Sequence, residues 1–449
     1  MKKAILLFFC VLLTLCAVLP AHASASDVIA LVPPPDVSHA AAVYLYHIGS
    51  GTEMLTKNMD TVCFPASTVK IASGLIACRL AEGRLDERVV VTNTMLEDAD
   101  GRVMSLQAGE SVTIKDMLYA GFCSGYNDAV CVLAYALCGS MDAFVAQMNE
   151  LATSLGATQT HYANPTGLHD AAMVTTAADT AKIALAASDH ALYMQVCSAV
   201  KYVMPPTNLA NERTLHNRNS LISTYYGIGY FNADCKGMNA GSTDEGGYCC
   251  VTVAERDGDR YLCVVMGAEY KVIEHEDETK EYLDYSYIHT NDLVKWACGS
   301  FATRQVLEAG QATIKIPVEN TGLFGLEIDV CAKEALTVYL PRGASEDDLA
   351  VKCHLSSTSV QAPVKAGQEV GVITVYYEDV PLGSVPAVIL EDHARNPLLH
   401  GISLLSDYVS SRAFAATAVC AVLLIGAYFL YVYSGISLRP KRGKYKRRR

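Results

Sequence analysis

Polar and apolar positions divide the chain into stretches of different period. Ala42 to His47 alternates as a half-buried strand does, whereas Thr68 to Ala81 and Asp142 to Leu155 carry apolar residues at helical spacing. Tyr248 to Ala254 and Tyr261 to Met266 read as a strand pair joined by Glu255-Arg256-Asp257-Gly258-Asp259. Strands and helices thus mix from about Val28 to Ser300, which predicts an α+β domain over residues 28–300. After Gln305 the texture changes to short β-rich runs with turn residues between them: Thr313–Val318, Leu326–Cys331, Leu336–Leu340, Val351–Leu355, Glu369–Tyr377 and Ala387–Glu391. Their spacing predicts a small all-β domain over residues 305–392.

Two runs are apolar without interruption. Ala4 to Leu19 follows Lys2 and Lys3 and leads to Ala21-His22-Ala23, a small-x-small cleavage pattern, so residues 1–23 read as a secretory signal peptide. Ala413 to Tyr433 is 21 residues without a charge, reached through His393–Ser411. At about 1.5 Å per residue that run crosses a hydrocarbon core of about 30 Å, which predicts a transmembrane helix at 413–433.

Charge then orients the chain. The formal net charge is −12, but residues 439–449 carry eight Lys or Arg and no acid. Without those and the two leading lysines, the rest holds 25 bases against 47 acids, a net charge of −22. An acidic body repels phosphate backbones and excludes nucleic acid as a partner. The basic residues after the apolar run place the tail in the cytoplasm, and the signal peptide places the body outside the membrane.

Sixteen cysteines include Cys10, Cys16 and Cys420 in the two apolar runs, leaving an odd thirteen outside them. No C-x-x-C, H-E-x-x-H or Cys/His cluster at zinc-ligand spacing occurs, so neither metal nor cofactor is expected. Cys131 and Cys138 share a helix face and read as small core hydrophobes; a disulfide involving Cys249 or Cys250 stays open. The acidic stretch from Glu274 to Asp284 lacks the residue order of a calcium loop and reads as a solvated surface loop.

Chemistry concentrates in Phe64-Pro65-Ala66-Ser67-Thr68-Val69-Lys70. Pro65 and Ala66 lead into the helical run, so Ser67 falls in its first turn and Lys70 one turn later on the same face. A serine hydroxyl needs a neighbouring base to attack an amide. A lysine amine serves only when neutral, and partial burial together with the positive helix N-terminus favours that form. The same N-terminal amides stabilise an oxyanion.

The motifs around this pair make the chain resemble the serine D-alanyl-D-alanine carboxypeptidases, the low-molecular-mass penicillin-binding proteins, whose elements are S-x-x-K, S-x-N and K-T-G. The similar segments are Phe64–Lys70, Gly109-Glu110 with Lys115–Tyr119, Asn127-Asp128-Ala129, Asn164-Pro165-Thr166-Gly167-Leu168-His169-Asp170, Thr175-Thr176-Ala177 and Thr243–Cys249, in family order over about residues 28–270. The resemblance implies a penicillin-binding-protein/β-lactamase-like transpeptidase domain followed by the β domain and the membrane anchor. It also implies peptidoglycan stem peptides as substrates and β-lactams as acylating inhibitors.

Two elements depart from the family pattern. The second reads Cys123-Ser124-Gly125-Tyr126-Asn127-Asp128-Ala129: with Asn127 in register Gly125 takes the serine position, and with Ser124 in register Tyr126 replaces the asparagine. The third reads Asn239-Ala240-Gly241 in place of Lys-Thr-Gly, so the cation for the substrate carboxylate is absent. Lys236, three residues away, points to the opposite face of a regular strand. Exchanging a charge-assisted contact for a neutral one at Asn239 costs about 1–2 kcal/mol, a tenfold to thirtyfold effect on the transition state.

The expected catalytic residues are therefore Ser67, Lys70, Ser124 and Asn127, and the expected substrate strand is Asn239, Ala240, Gly241 and Ser242. The amides of Ser67 and Ser242 form the oxyanion hole by family analogy. The expected activity is removal of the terminal D-Ala from stem peptides through an acyl-enzyme on Ser67. The altered motifs raise a rival, a penicillin-binding or peptidoglycan-binding paralogue with impaired turnover. A β-lactamase is a third reading, disfavoured by the anchor and the added β domain.

Overall fold

The computed structural model describes residues 25–226, 229–321 and 326–437. The expected signal peptide and basic tail lie outside them. The chain forms two compact units: one comprises the part up to Arg304 with Thr337–Ala350 and Tyr376–Leu382, the other Gln305–Leu336, Val351–Val375 and the chain from Gly383.

In the first unit five strands form an antiparallel sheet: β1 (Ala42–His47), β2 (Thr52–Lys57), β3 (Cys235–Thr243), β4 (Gly247–Arg256) and β5 (Asp259–Ala268), in the order β2-β1-β5-β4-β3. β4 and β5 are the hairpin expected from the sequence. Asp257 and Gly258 turn it with φ of 54° and 89°, a geometry that suits Asp-Gly and matches the twist of the strands. β3 is an edge strand, paired with β4 on one side only.

Helices cover both faces. α1 (Lys70–Leu80), α2 (Asn127–Cys138), α3 (Met141–Ser154), α4 (Ala177–Ser188) and α5 (Ala191–Cys197) share one core, in which Ile71, Leu75, Leu133, Phe144 and Tyr193 are closed to solvent. α6 (Tyr285–Ser300) covers the other face, against Tyr261, Cys263 and Val265 of β5. α1 is buried at every position from Lys70 to Cys78. Such a helix lies inside the helical layer rather than on its surface, and its hydrophobic positions accordingly run all round it.

The stretch expected as an acidic loop is a two-stranded hairpin, Tyr270–Glu274 with Lys280–Asp284, and Asp284 caps α6 by accepting from the Ser286 amide. Tyr270, Val272, Ile273 and Tyr282 supply β-formers among the charges of the two strands, which a count of charge alone overlooks. A buried ion pair stands elsewhere in the unit. Glu110, fully buried, meets Arg213 at 2.6 Å and accepts from Thr207 Oγ1 at 2.9 Å. Burial opposes its ionisation, but Arg213, Thr207 and the Gln107 amide outweigh it and hold the carboxyl below its usual range. Arg213→Ala strands that charge, so it is expected to cost about 3–5 kcal/mol in urea unfolding, with Glu110→Gln in the same chain restoring part of the loss.

The second unit contains most of a six-stranded sheet made of β6 (Ala312–Glu319), β7 (Leu326–Ala332), β8 (Leu349–Leu355), β9 (Val360–Gln361), β10 (Glu369–Tyr377) and β11 (Val380–Val388), ordered β8-β10-β11-β7-β6-β9. β11 starts seven residues before the run read from the sequence, because Pro381, Gly383 and Pro386 mask a strand that periodicity places at Ala387. Two helices follow, α7 (Pro397–Val409) and α8 (Arg412–Ser437). Within Arg412–Ser434 the mean hydropathy over an 18-residue stretch reaches 2.3, so α8 is long and apolar enough to cross a membrane.

The thirteen cysteines outside the apolar runs are all unpaired. Ten are buried and Cys63, Cys138 and Cys353 are half-buried. Burial raises their thiol pKa values, to about 11 for Cys63 and Cys123 and about 12 for Cys131, Cys197 and Cys249.

Candidate active site

Pro65 opens a tight 3-10 turn over Ala66–Val69, and the α-helix begins at Lys70. Ser67 therefore sits in the turn before the helix rather than in its first turn. Ala66 holds φ at +48°, a conformation that L-residues rarely adopt, so the turn carrying the serine is locally strained.

Lys70 is 2% exposed, and its amine donates to the Thr166 carbonyl. One turn along the same face, Ser73 Oγ donates to the Pro165 carbonyl at 2.9 Å. α1 thus fastens the Asn164–Asp170 loop at two points. The loop is shaped by Asn164, whose Oδ1 accepts from the Thr166 amide, the Thr166 hydroxyl and the Gly167 amide at 3.1, 2.9 and 2.8 Å. Burial brings the Lys70 pKa down to about 7; Cys131 works against that and the Arg102 charge adds to it. Near neutral pH the amine is therefore substantially unprotonated, the form a base requires.

The second element is built on a wide turn in which the Ser124 amide reaches back to the Tyr119 carbonyl at 3.2 Å. Ser124 is fully buried, and its hydroxyl donates to the His216 carbonyl at 2.8 Å. Gly125 follows with φ of +77°, and α2 begins at Asn127. Of the two registers left open by the sequence, the structure has Gly125 and Asn127 lining the cleft with Ser67 and Lys70, and Ser124 turned towards the strand Arg213–His216. The next two residues of the motif hold the opposite segment. Asn127 donates from its amide to the Arg102 carbonyl and from Nδ2 to the Asp100 carbonyl, each at 2.7 Å, while Asp128 accepts from the Met104 and Leu106 amides.

The third element is the edge strand β3. A bulge between Cys235 and Met238 interrupts its pairing near its start, and Lys236 donates to the Ala233 carbonyl at 3.0 Å, outside the cleft. Asn239, Ala240, Gly241, Ser242 and Thr243 all line the cleft. Gly241 lies so close to Ser67 that a Cβ on it would stand 2.6 Å from Ser67 Cβ and 2.9 Å from Oγ. Asn127 and Asn239 each present a buried Oδ1 without a partner. Both oxygens are closed to solvent in residues that border one cleft of about 220 Å³.

Arg102 and Arg218 also line the cleft, and motif reading missed both. The signal for Arg218 was its place between Asn217 and Asn219, two asparagines that are only 2% exposed. Arg102 had none beyond the glycine before it. Among the described residues, no group of three or more His, Cys, Asp or Glu side chains is placed to hold a metal ion.

Comparison with known proteins agrees with this geometry. A family model described as D-alanyl-D-alanine carboxypeptidase matches residues 30–270, and one described as the penicillin-binding protein 5 C-terminal domain matches residues 301–395. D-alanyl-D-alanine carboxypeptidase DacF of Bacillus subtilis is 25% identical over 367 residues, covering 80% of this chain and 87% of that protein. DacA of Escherichia coli, another D-alanyl-D-alanine carboxypeptidase, is 27% identical over 385 residues, 83% of this chain and 88% of its own length. In fold, the crystal structure of penicillin binding protein 6B from Escherichia coli aligns over 80% of this chain and 97% of its own with a TM-score of 0.57 at 21% identity. With a serine and a buried lysine in one cleft, and a family match over more than half of its length, the chain belongs to the D-alanyl-D-alanine carboxypeptidase family of low-molecular-mass penicillin-binding proteins.

Proposed function

We propose that this member is an active serine D-Ala-D-Ala carboxypeptidase of peptidoglycan stem peptides. The observation that carries the reading is Lys70: a buried amine with its pKa near 7 lines the same cleft as Ser67, against an edge strand open to an extended peptide. In acylation, Ser67 Oγ attacks the carbonyl of the penultimate D-Ala as its proton passes to the Lys70 amine. The C–N bond then breaks, the departing D-Ala amine takes a proton, and an ester remains on Ser67. Water attacks the ester, the acyl chain leaves as a carboxylic acid, and the Ser67 hydroxyl is restored. The amides of Ser67 and Ser242 serve as the oxyanion hole, and Asn127 and Asn239 pair with amide groups of the peptide. Ser124 acts through structure, fixing the turn that presents Gly125 and Asn127.

The body works outside the cytoplasmic membrane after loss of residues 1–23, held by α8 with the basic tail inside. The test is D-Ala release from a diacetylated Lys-D-Ala-D-Ala peptide, with a fluorescent penicillin to mark the acyl-enzyme. Wild-type chain is expected to release D-Ala and to carry the label on Ser67, and Ser67→Ala to do neither. Release at the Ser67→Ala background would leave a binding protein in place of the enzyme.

A further inference from the structure

We propose that the second unit takes up an extended segment of a partner protein as an added β-strand, in the fork between β7 and Ile389–His393, and that this segment alternates apolar with basic side chains. The inference is independent of the chemistry at Ser67.

The fork is a ladder that stops early. β11 pairs with β7 at Cys331–Val388 and Ala332–Ala387. Continued in the same register, the ladder would set Asp329 against Leu390 and Glu327 against Asp392, and among the described residues no backbone bond joins either pair. After Val388 the chain turns to another neighbour instead. Ile389 donates to the Gln368 carbonyl at 3.1 Å and accepts from the Gly367 amide at 2.8 Å, while His393 exchanges bonds of 3.0 and 2.9 Å with Val364. The sheet therefore splits, and the split holds a groove of about 260 Å³, larger than the catalytic cleft.

Both sides of the fork present open backbone. On β7, the Ala332 amide donates to the Gln311 carbonyl and its carbonyl accepts from the Gly310 amide, so Ala332 faces the β6 side. Peptide groups alternate in direction along a strand, so Val330 and Ile328 face β6 as well, and the N–H and C=O of Asp329 and Glu327 face the fork. Pro317 agrees with this parity: it has no N–H, and it stands opposite Glu327, where the β6–β7 ladder needs none. On the other side Ile389 and His393 bond towards residues 364–368, which leaves the peptide groups of Leu390 and Asp392 turned to the fork. Two open edges facing one groove form a slot for a strand.

Side chains say which strand. Ile328 and Ile389 are 7% and 1% exposed and line the groove from the core side, whereas Glu327, Asp329 and Glu391 are exposed along it. An inserted strand thus meets an apolar floor with one set of residues and an acidic rim with the next. Asp329 has Lys315 at 4.0 Å, but Glu327 and Glu391 stand in no ion pair among the described residues, and Lys333 and Lys365 pair with Glu369 and Asp392 instead. Such a rim favours Lys or Arg at the outward positions and repels an acidic segment. His393 borders the same groove with a buried Nε2 that has no partner.

The test uses full-length chain in a non-ionic detergent and the fluorescein-labelled probe acetyl-Val-Lys-Ile-Lys-Val-amide, read by anisotropy. The probe is expected to bind at least about tenfold tighter than its Val-Glu-Ile-Glu-Val counterpart, and by a similar factor tighter than a version N-methylated at alternate residues, which donates along one edge only. On binding, hydrogen exchange over Leu326–Val330 and Ile389–His393 is expected to slow by about tenfold or more, with the outer edge strand β8 unchanged. Glu327→Lys together with Glu391→Lys is expected to weaken the lysine probe about tenfold, and an unchanged thermal midpoint excludes loss of fold as the cause. Absence of binding, equal affinity for the N-methylated probe, or protection that falls on β8 overturns the proposal. A dimer that protects the fork without any probe also overturns it, by making a second copy of the chain the occupant.

Discussion

Lys70→Met is expected to silence acylation of Ser67 and to make the fold more stable in the same stroke. The first effect follows from the base: general-base assistance supplies about 10²–10⁴ in rate, and no other amine is among the residues lining the cleft. The second follows from where the amine is kept. Burial lowers its pKa from 10.5 to about 7, so the folded chain holds it neutral at a pH where the unfolded chain binds a proton. That mismatch opposes folding. It is greatest below about pH 7, shrinks as pH rises, and is gone above 10.5, where both states are neutral. A drop from 10.5 to about 7 corresponds to about 5 kcal/mol as an upper bound and to about 4 kcal/mol at pH 7, and loss of the donor to the Thr166 carbonyl returns about 1–3 kcal/mol of it. A net gain of about 1–3 kcal/mol in urea unfolding at pH 7, fading towards pH 10, is the expected outcome. Destabilisation at pH 7 would mean that the lysine is held as an ammonium. The same pKa sets the rate profile of the wild type: acylation by a penicillin should rise through about pH 7 and level off above it.

Gly241→Ala is expected to lower the acylation rate about 100-fold with little change in stability. The added methyl would have to occupy a point 2.6 Å from Ser67 Cβ and 2.9 Å from Oγ, and the first of these atoms is fixed by the turn. Either the serine or the strand has to move by several tenths of an ångström or more. A misplacement of about 1 Å at reacting atoms costs about 10² in rate. Stopped-flow acylation with a chromogenic cephalosporin reads the effect, and a rate within threefold of wild type would show that Ser67 does not react in the position it occupies here.

The parts of this molecule that were legible in its sequence are those in which one short segment carries the whole message. The β4–β5 hairpin announces itself by two apolar, β-rich runs around Asp-Gly, and the Ser67–Lys70 pair by spacing on one turn. Helix α3 follows its apolar period closely, as a helix with one buried stripe does. Features that arise between segments were not legible. Arg102 and Arg218 meet Tyr126, Tyr226 and the Ser124 carbonyl in the cleft through contacts that no local pattern aligns. The orientation of Ser124 depends on a wide turn and on a carbonyl 92 positions away. Lys236 was rightly kept out of the cleft, but the parity argument for it does not apply across the bulge that precedes Met238.

The unpaired thiols have a consequence for measuring this protein. Each buried cysteine is shut off from solvent and held protonated, so it reacts with an alkylating reagent only when its surroundings open. The thiols are spread over both units, from Cys63 beside the Ser67 turn to Cys353 in β8. Alkylation rates read site by site therefore map the free energy of local opening along the native chain, without any introduced probe. Slowed labelling of Cys63, Cys123 and Cys131 on adding a penicillin, with Cys331 and Cys353 unaffected, would trace how far acylation at Ser67 stiffens the structure around it.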